Sequence, residues 1–282
     1  MPPLALLLVV GAAVCHSAWN LIFKSEPRRL QAFLGALIVA TALCAPVVLV
    51  HSPAQLTPGT WALVLLSGAF ETAYVVALTA AYEIGDLSLV YPIARGTAPL
   101  LVVPLATLLL GERPSPLGLL GIALVVGGIF AVHRPIHHRG AASARGAVAL
   151  AMMTGVMTAG YSVVNKVGVQ RAPVPLYAFL VFAVDTVLLV AVLALRGHDL
   201  WPRGGSAWGR AAAVGALMLA AYLGVLGAMS LAPVSYVVAG REVSIVITAL
   251  AGAVMLREPH STRRLAAAAV IFAGLVVLTV SR

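Results

Sequence analysis

The sequence predicts an all-α integral membrane protein of ten transmembrane helices, arranged as two five-helix inverted repeats. Three observations carry this. The chain of 282 residues is 61% hydrophobic with only 10% charged residues and a mean hydropathy of +1.04. A soluble domain carries about 25% charged residues, so this much apolar surface needs lipid as its solvent. The apolar residues also fall into runs of about 20, the length that crosses a bilayer as helix. Finally, the second half of the chain repeats features of the first at a nearly constant offset.

Taken in order, the candidate spans are 4–23, 30–50, 60–82, 87–110, 116–133, 146–168, 175–195, 207–230, 234–256 and 263–281. The first resembles a signal peptide in its apolar stretch, but it lacks a positive leading segment and stays apolar to Phe23, as a span does. Short gaps with turn chemistry separate the spans, among them SEPRR, HSPAQLTPG, GERPSP, RAPVP and REPHST. The gaps nearly vanish between spans 3 and 4 and between spans 8 and 9. Barrel strands would alternate polar and apolar residues, and these runs do not.

The offset supplies the repeat. Arg95 meets Arg241 at 146, as does Leu110-Gly111-Glu112 with Leu256-Arg257-Glu258 and Gln31-Ala32-Phe33-Leu34 with Tyr177-Ala178-Phe179-Leu180; Trp19…Lys24 meets Tyr161…Lys166 at 142. These matches predict two units, 1–135 and 146–282, joined by a loop at 136–145. Five spans per unit is an odd number, so the second unit enters the membrane the other way up, and such folds hold solute near the midplane between the units.

Charged groups at span centres are the candidate site residues, because an isolated charge there costs roughly 2.5–3.5 kcal/mol on insertion scales. Arg95 is the ninth residue of span 4 and Arg241 the eighth of span 9. Each either pairs with a buried carboxylate (Glu71, Asp185 or Glu242) or faces a cavity and holds an anionic group in its planar fork. Tyr91, Arg95 and Pro99 share one helix face, and Pro92 and Pro99 each remove a backbone donor there. Span 1 carries His16, Trp19, Asn20 and Lys24 at spacings of three or four; span 6 carries Thr154, Thr158, Tyr161 and Asn165 in the same way. Polar stripes in lipid face inward, so these two either bond their neighbours or line one cavity, while Lys24 and Lys166 fall at helix ends. Glu71 and Tyr74 share a face of span 3, with Glu71 a counter-ion for Arg95 or a proton carrier. His16 is a second candidate for the proton. Gly118, Gly121, Gly127 and Gly128 let span 5 pack closely.

Other classes are disfavoured. The net charge of +9 lies mostly in short gaps and reads as membrane topology rather than nucleic-acid binding. Cys15 and Cys44 sit inside apolar runs, so neither a disulfide framework nor a metal site is expected. The sequence lacks a Walker loop, HExxH, GxSxG and DDxxD, and predicts no cofactor and no enzyme.

HSAWNLIFK (16–24), YPIARGTAPLLVVPLATLLLGE (91–112) and SYVVAGREVSIVITALAGAVMLRE (235–258) resemble the EamA-like family of the drug/metabolite transporter superfamily. The second copy departs from the first: Pro92 and Pro99 have no counterparts, and Glu242 stands where the first copy has Gly96. The resemblance implies a ten-helix carrier of the bacterial cytoplasmic membrane; characterised members export amino acids and related metabolites, while others move sugars, nucleotide-sugars or toxic cations. The expectation is therefore a secondary transporter, an exporter working by alternating access, for a small polar metabolite such as an amino acid or other carboxylate, with protons as a candidate coupling ion. Arg95 and Arg241 hold the anion; Tyr91, Trp19, Asn20, His16, Glu71, Tyr74, Tyr161 and Asn165 complete the pocket. The alternatives are a cationic drug or polyamine exporter and a lipid-linked-sugar flippase, with Glu71 as the binding group. Its partners are solute and lipid, and it acts as a monomer or homodimer. Odd-numbered gaps, together with the span ends that border them, hold 12 Lys and Arg against 4 at the even-numbered gaps and end segments, which places both ends outside; relatives are drawn with both ends inside.

Overall fold

The computed structural model describes residues 1–23, 26, 28–132, 141–201, 204–247 and 262–281. Nearly all of these are helical: α1 (Pro3–Phe23), α2 (Arg29–Cys44), α3 (Pro58–Ile84), α4 (Leu87–Leu110), α5 (Pro116–Val132), α6 (Ala141–Gly168), α7 (Val174–Leu195), α8 (Gly205–Leu231), α9 (Val234–Arg241) and α10 (Thr262–Val280). Among the described residues seven helices are long and apolar enough to cross a membrane, and Pro116–Ala131 and Ala266–Val280 are shorter apolar helices.

Local chemistry sets the ends. The Thr57 hydroxyl accepts from Thr60 N at 3.3 Å while Pro58 fills the first helical position of α3. Gly111 ends α4 in the left-handed region (φ 69°), which glycine enters without strain. In span 2 the α-helix stops at Cys44, and Pro46 lies in a 3₁₀ turn over Ala45–Leu49. Glu112, directly after that glycine, reaches the other repeat: its carboxylate accepts from Val234 N at 2.6 Å and from the Ser235 hydroxyl at 2.7 Å, capping the positive end of α9. Lys166 answers at the end of α8, donating to the carbonyls of Met229 and Ala232 at 2.6 and 2.9 Å. Its expected counterpart Lys24, the repeat match at 256–258 and the histidine cluster at 133–138 lie outside the described residues.

One expectation about the central helices is corrected, and one is met. Span 9 is not one continuous helix over 234–256: α9 stops at Arg241, the chain turns at Glu242, and helix resumes over 243–247. Conversely, α4 runs unbroken from Leu87 to Leu110 through Pro92, Pro99 and Pro104.

The packing is reciprocal between the repeats. α1 lies on α8 as α6 lies on α3; α2 lies on α8 as α7 lies on α3; α4 lies on α6 as α9 lies on α1. α2 and α7 meet each other, as do α5 and α10. Exchanging the two five-helix sets maps these contacts onto one another, the mark of a two-fold relation. Because lipid tails are as apolar as leucine, close approach rather than hydrophobicity holds such helices together. A methyl group on Gly274 of α10 would lie 2.8 Å from the Gly121 carbonyl of α5, and one on Gly155 of α6 2.4 Å from Thr97 Cβ of α4. Gly128 also abuts α10 and Gly118 abuts Tyr236, while Gly127 has open space. The start of α1 meets the end of α10, with Met1 N 3.3 Å from Leu278 O and 3.2 Å from Thr279 O. At the opposite ends of the bundle Arg28 meets Asp199 at 3.4 Å and Arg210 meets Glu26.

Candidate solute cavity

Among the described residues, a cavity of about 100 Å³ lies between the repeats. Its wall takes His16 and Trp19 from α1, Glu71 and Tyr74 from α3, Tyr161 and Asn165 from α6, and Arg241 from α9. The two predicted polar stripes thus meet across one space. Phe33, Asp185, Met218 and Tyr222 complete the wall from α2, α7 and α8.

Part of the cavity wall is acidic. Glu71 is buried, and one of its oxygens, Oε1, receives two donors, Tyr222 OH at 2.6 Å and Asn165 Nδ2 at 3.3 Å, with Ser67 Oγ also 3.3 Å away. Asn165 Oδ1 in turn accepts from Ser67 at 2.5 Å and from Tyr177 OH at 3.0 Å. Such donors replace water around a buried carboxylate. On α7, Asp185 accepts from Thr72 Oγ1 at 2.6 Å. Gly68, one residue after Ser67, makes this neighbourhood possible: a methyl group there would sit 2.5 Å from Val184.

The wall also holds a basic group. Arg241 donates to Tyr161 OH at 3.4 Å, and Tyr161 stands edge-on to Tyr74 with ring centres 6.0 Å apart. Glu242, fully buried at the break after α9, lies between two guanidinium groups: its Oε1 is 3.7 Å from Arg241 Nε and 3.6 Å from an Arg95 terminal nitrogen. Both contacts exceed hydrogen-bond length, and neither Glu242 oxygen nor Arg241 Nε has a hydrogen-bond partner among the described residues. Arg95 also donates to His16 Nε2 and stacks over Tyr91, 5.6 Å from the ring centre. Arginine has no acceptor, so this His16 nitrogen carries no proton in the contact. His16 meets Trp19 edge-on at 4.9 Å.

Arg95, Tyr91 and Asn20 do not belong to the cavity wall formed by the described residues. Arg95 stands behind it, reached through His16 and Glu242. Of the carboxylates expected to pair with Arg95, the structure selects Glu242 rather than Glu71 or Asp185. Asn20 turns back along α1, donating to the His16 carbonyl at 2.7 Å. Sequence reasoning missed Tyr222, Ser67 and Tyr177, and used Asp185 only as an ion-pair candidate. The four-residue spacing of Ser67 and Glu71 was a readable signal; Tyr222 is a lone hydroxyl in an apolar run and gave none.

The profile of the EamA-like transporter family matches residues 3–134 and 145–280. The chain belongs to the EamA-like transporter family. It is accordingly a multi-pass membrane transporter of the drug/metabolite transporter type, built of two repeats. A crystal structure described only as that of a protein superimposes with a TM-score of 0.78 at 20% identity, covering 98% of this chain and 96% of the other. At that identity the likeness speaks to the fold. No protein with a curated function matches.

Proposed function

We propose that this EamA-like transporter is a secondary carrier that exports a small solute bearing both a carboxylate and an amino group, of which amino acids are the simplest class. The observation that supports this is the mixed polarity of one cavity wall, which holds the Arg241 guanidinium, the Glu71 and Asp185 carboxyls and several aromatic rings. The solute carboxylate takes the free directions of the Arg241 fork, and the ammonium faces the acids.

In this reading ten crossings form two inverted five-helix units, 1–135 and 146–282, in a bacterial cytoplasmic membrane. The meeting of the α1 start with the α10 end supports an even number of crossings between them. The units rock about the cavity to alternate access, with the break at Arg241–Glu242 as a flexible point in the wall. Glu71 is the better proton carrier, because His16 is engaged by Arg95. A second reading, export of organic cations such as polyamines, draws on the two acids in the wall.

The test is flux in liposomes containing the purified chain, with and without a pH gradient, for L-alanine and for putrescine. Alanine movement that Arg241→Gln abolishes is the expected result. Movement of putrescine alone, lost in Glu71→Gln and retained in Arg241→Gln, overturns the carboxylate reading in favour of the second.

A further inference from the structure

Arg95 and Arg241 occupy matching places in the two repeats, yet the residues that follow them do not match. After Arg95 comes Gly96, whose missing side chain leaves room for Phe130: a methyl group there would lie 2.8 Å from that ring. After Arg241 comes Glu242, with no exposed surface and with Oε1 within 3.7 Å of both guanidinium groups. Two permanent cations thus share one anion across the repeat boundary. Arginine stays protonated in proteins, so a charged Glu242 leaves the trio with one positive charge. The trio is also not hydrogen-bonded shut, since both Glu242 oxygens and Arg241 Nε lack partners among the described residues. Of the three, only Arg241 reaches the cavity.

We propose that Glu242 is the specificity-determining residue of the cavity: by leaving the paired arginines a single net positive charge, it selects solutes with one carboxylate over those with two. This rests on the carboxylate reading above. Glu242 does not touch solute. It acts through Arg241, by orienting the guanidinium and offsetting the field of Arg95. In a buried setting a unit charge several ångströms away acts on a bound anion with an energy worth at least about tenfold in affinity.

The experiment is calorimetric titration of the purified full chain with L-alanine and L-aspartate, which share the ammonium and differ by one carboxylate. The parent is expected to favour alanine. Glu242→Gln raises the trio to two positive charges and moves the affinity ratio toward aspartate by at least about tenfold. Glu242→Asp keeps the parental preference, and the double replacement Arg95→Gln with Glu242→Gln, again at one positive charge, returns the ratio to within about threefold of the parent. A residue that only held the fold would move both affinities together and leave the ratio alone. An unchanged ratio in Glu242→Gln overturns the inference while leaving the carboxylate reading standing. A parent that binds neither probe overturns both. Should Glu242→Gln fail to fold, Arg95→Gln decides: its neutral trio shifts the ratio further from aspartate by at least about threefold, and an unchanged ratio overturns the inference.

Discussion

Helices α4 and α9 hold equivalent arginines in the two repeats and bury them in opposite ways. α4 contains three prolines and stays whole; α9 contains none after Val234 and ends beside its arginine. Around Arg95 the guanidinium finds His16, the Tyr91 face and Glu242, and α6 closes on the helix at Gly155. Around Arg241 the backbone changes pattern: Glu242 N bonds Ala239 O at 3.1 Å and Ile245 N bonds Glu242 O at 3.0 Å, the three-residue spacing of a tighter turn. Gly240 weakens the helix just before this point, and the Ser17 hydroxyl of α1 meets the Ser244 carbonyl at 2.9 Å just after it. A proline removes one bond that neighbouring helices can absorb; a break needs a new set of partners, and α9 has them.

The contrast is broken most directly at the arginines. Arg241→Gln removes the cation in the cavity wall and is expected to weaken alanine binding about a hundredfold, the loss of a charge-assisted pair in a buried site. Arg95→Gln, one step behind the wall, is expected to weaken it only about tenfold through the lost field. Titration of both variants checks the order, and equal losses would place the two arginines in the same role.

A second replacement sharpens the account of the break. Ser17→Ala removes a hydroxyl that lies 2.9 Å from both the Ser244 and the Ala13 carbonyls, at a cost of about 1 kcal/mol. Thermal unfolding in detergent should show the loss, and an unchanged midpoint would mean that the turn at Glu242 is held by other contacts. Smallest of all is Pro99→Ala. Since α4 is already continuous, it should leave both alanine affinity and the transport rate within about twofold of the parent, where a working hinge would change the transport rate at constant affinity.

Much of this was legible in the sequence. Several span ends came within a few residues of the helices because turn chemistry marks them, as at Gly111 after Leu110, Pro173 before Val174 and Pro233 before Val234, while the α-helix of span 2 ended six residues early. The polar stripes of spans 1 and 6 were readable because helical period and lipid together dictate which face turns inward. That Arg241 rather than Arg95 lines the cavity was not readable. Both arginines have nearly the same depth and similar neighbours in sequence, and only packing decides that Arg241 lines the cavity while Arg95 lies against His16 and Glu242. The break in span 9 was hidden for a related reason: REVS carries no proline, and the bond that steadies it comes from Ser17, 227 residues away. Prolines drew attention to α4 instead, because they announce a lost donor while saying nothing about what compensates for it.

The reciprocal packing of α1 on α8 and α6 on α3 carries a consequence for biosynthesis. As the chain leaves the ribosome, the first five helices enter the bilayer with the faces of α1 and α3 still unmatched. Glu71 then waits in lipid for Asn165 and Tyr222, which are made roughly a hundred residues later or more. Each half completes the other, so a truncated chain ending at the central loop should be recognised as incomplete and degraded, and two halves made separately should recover function only when they meet in the same membrane.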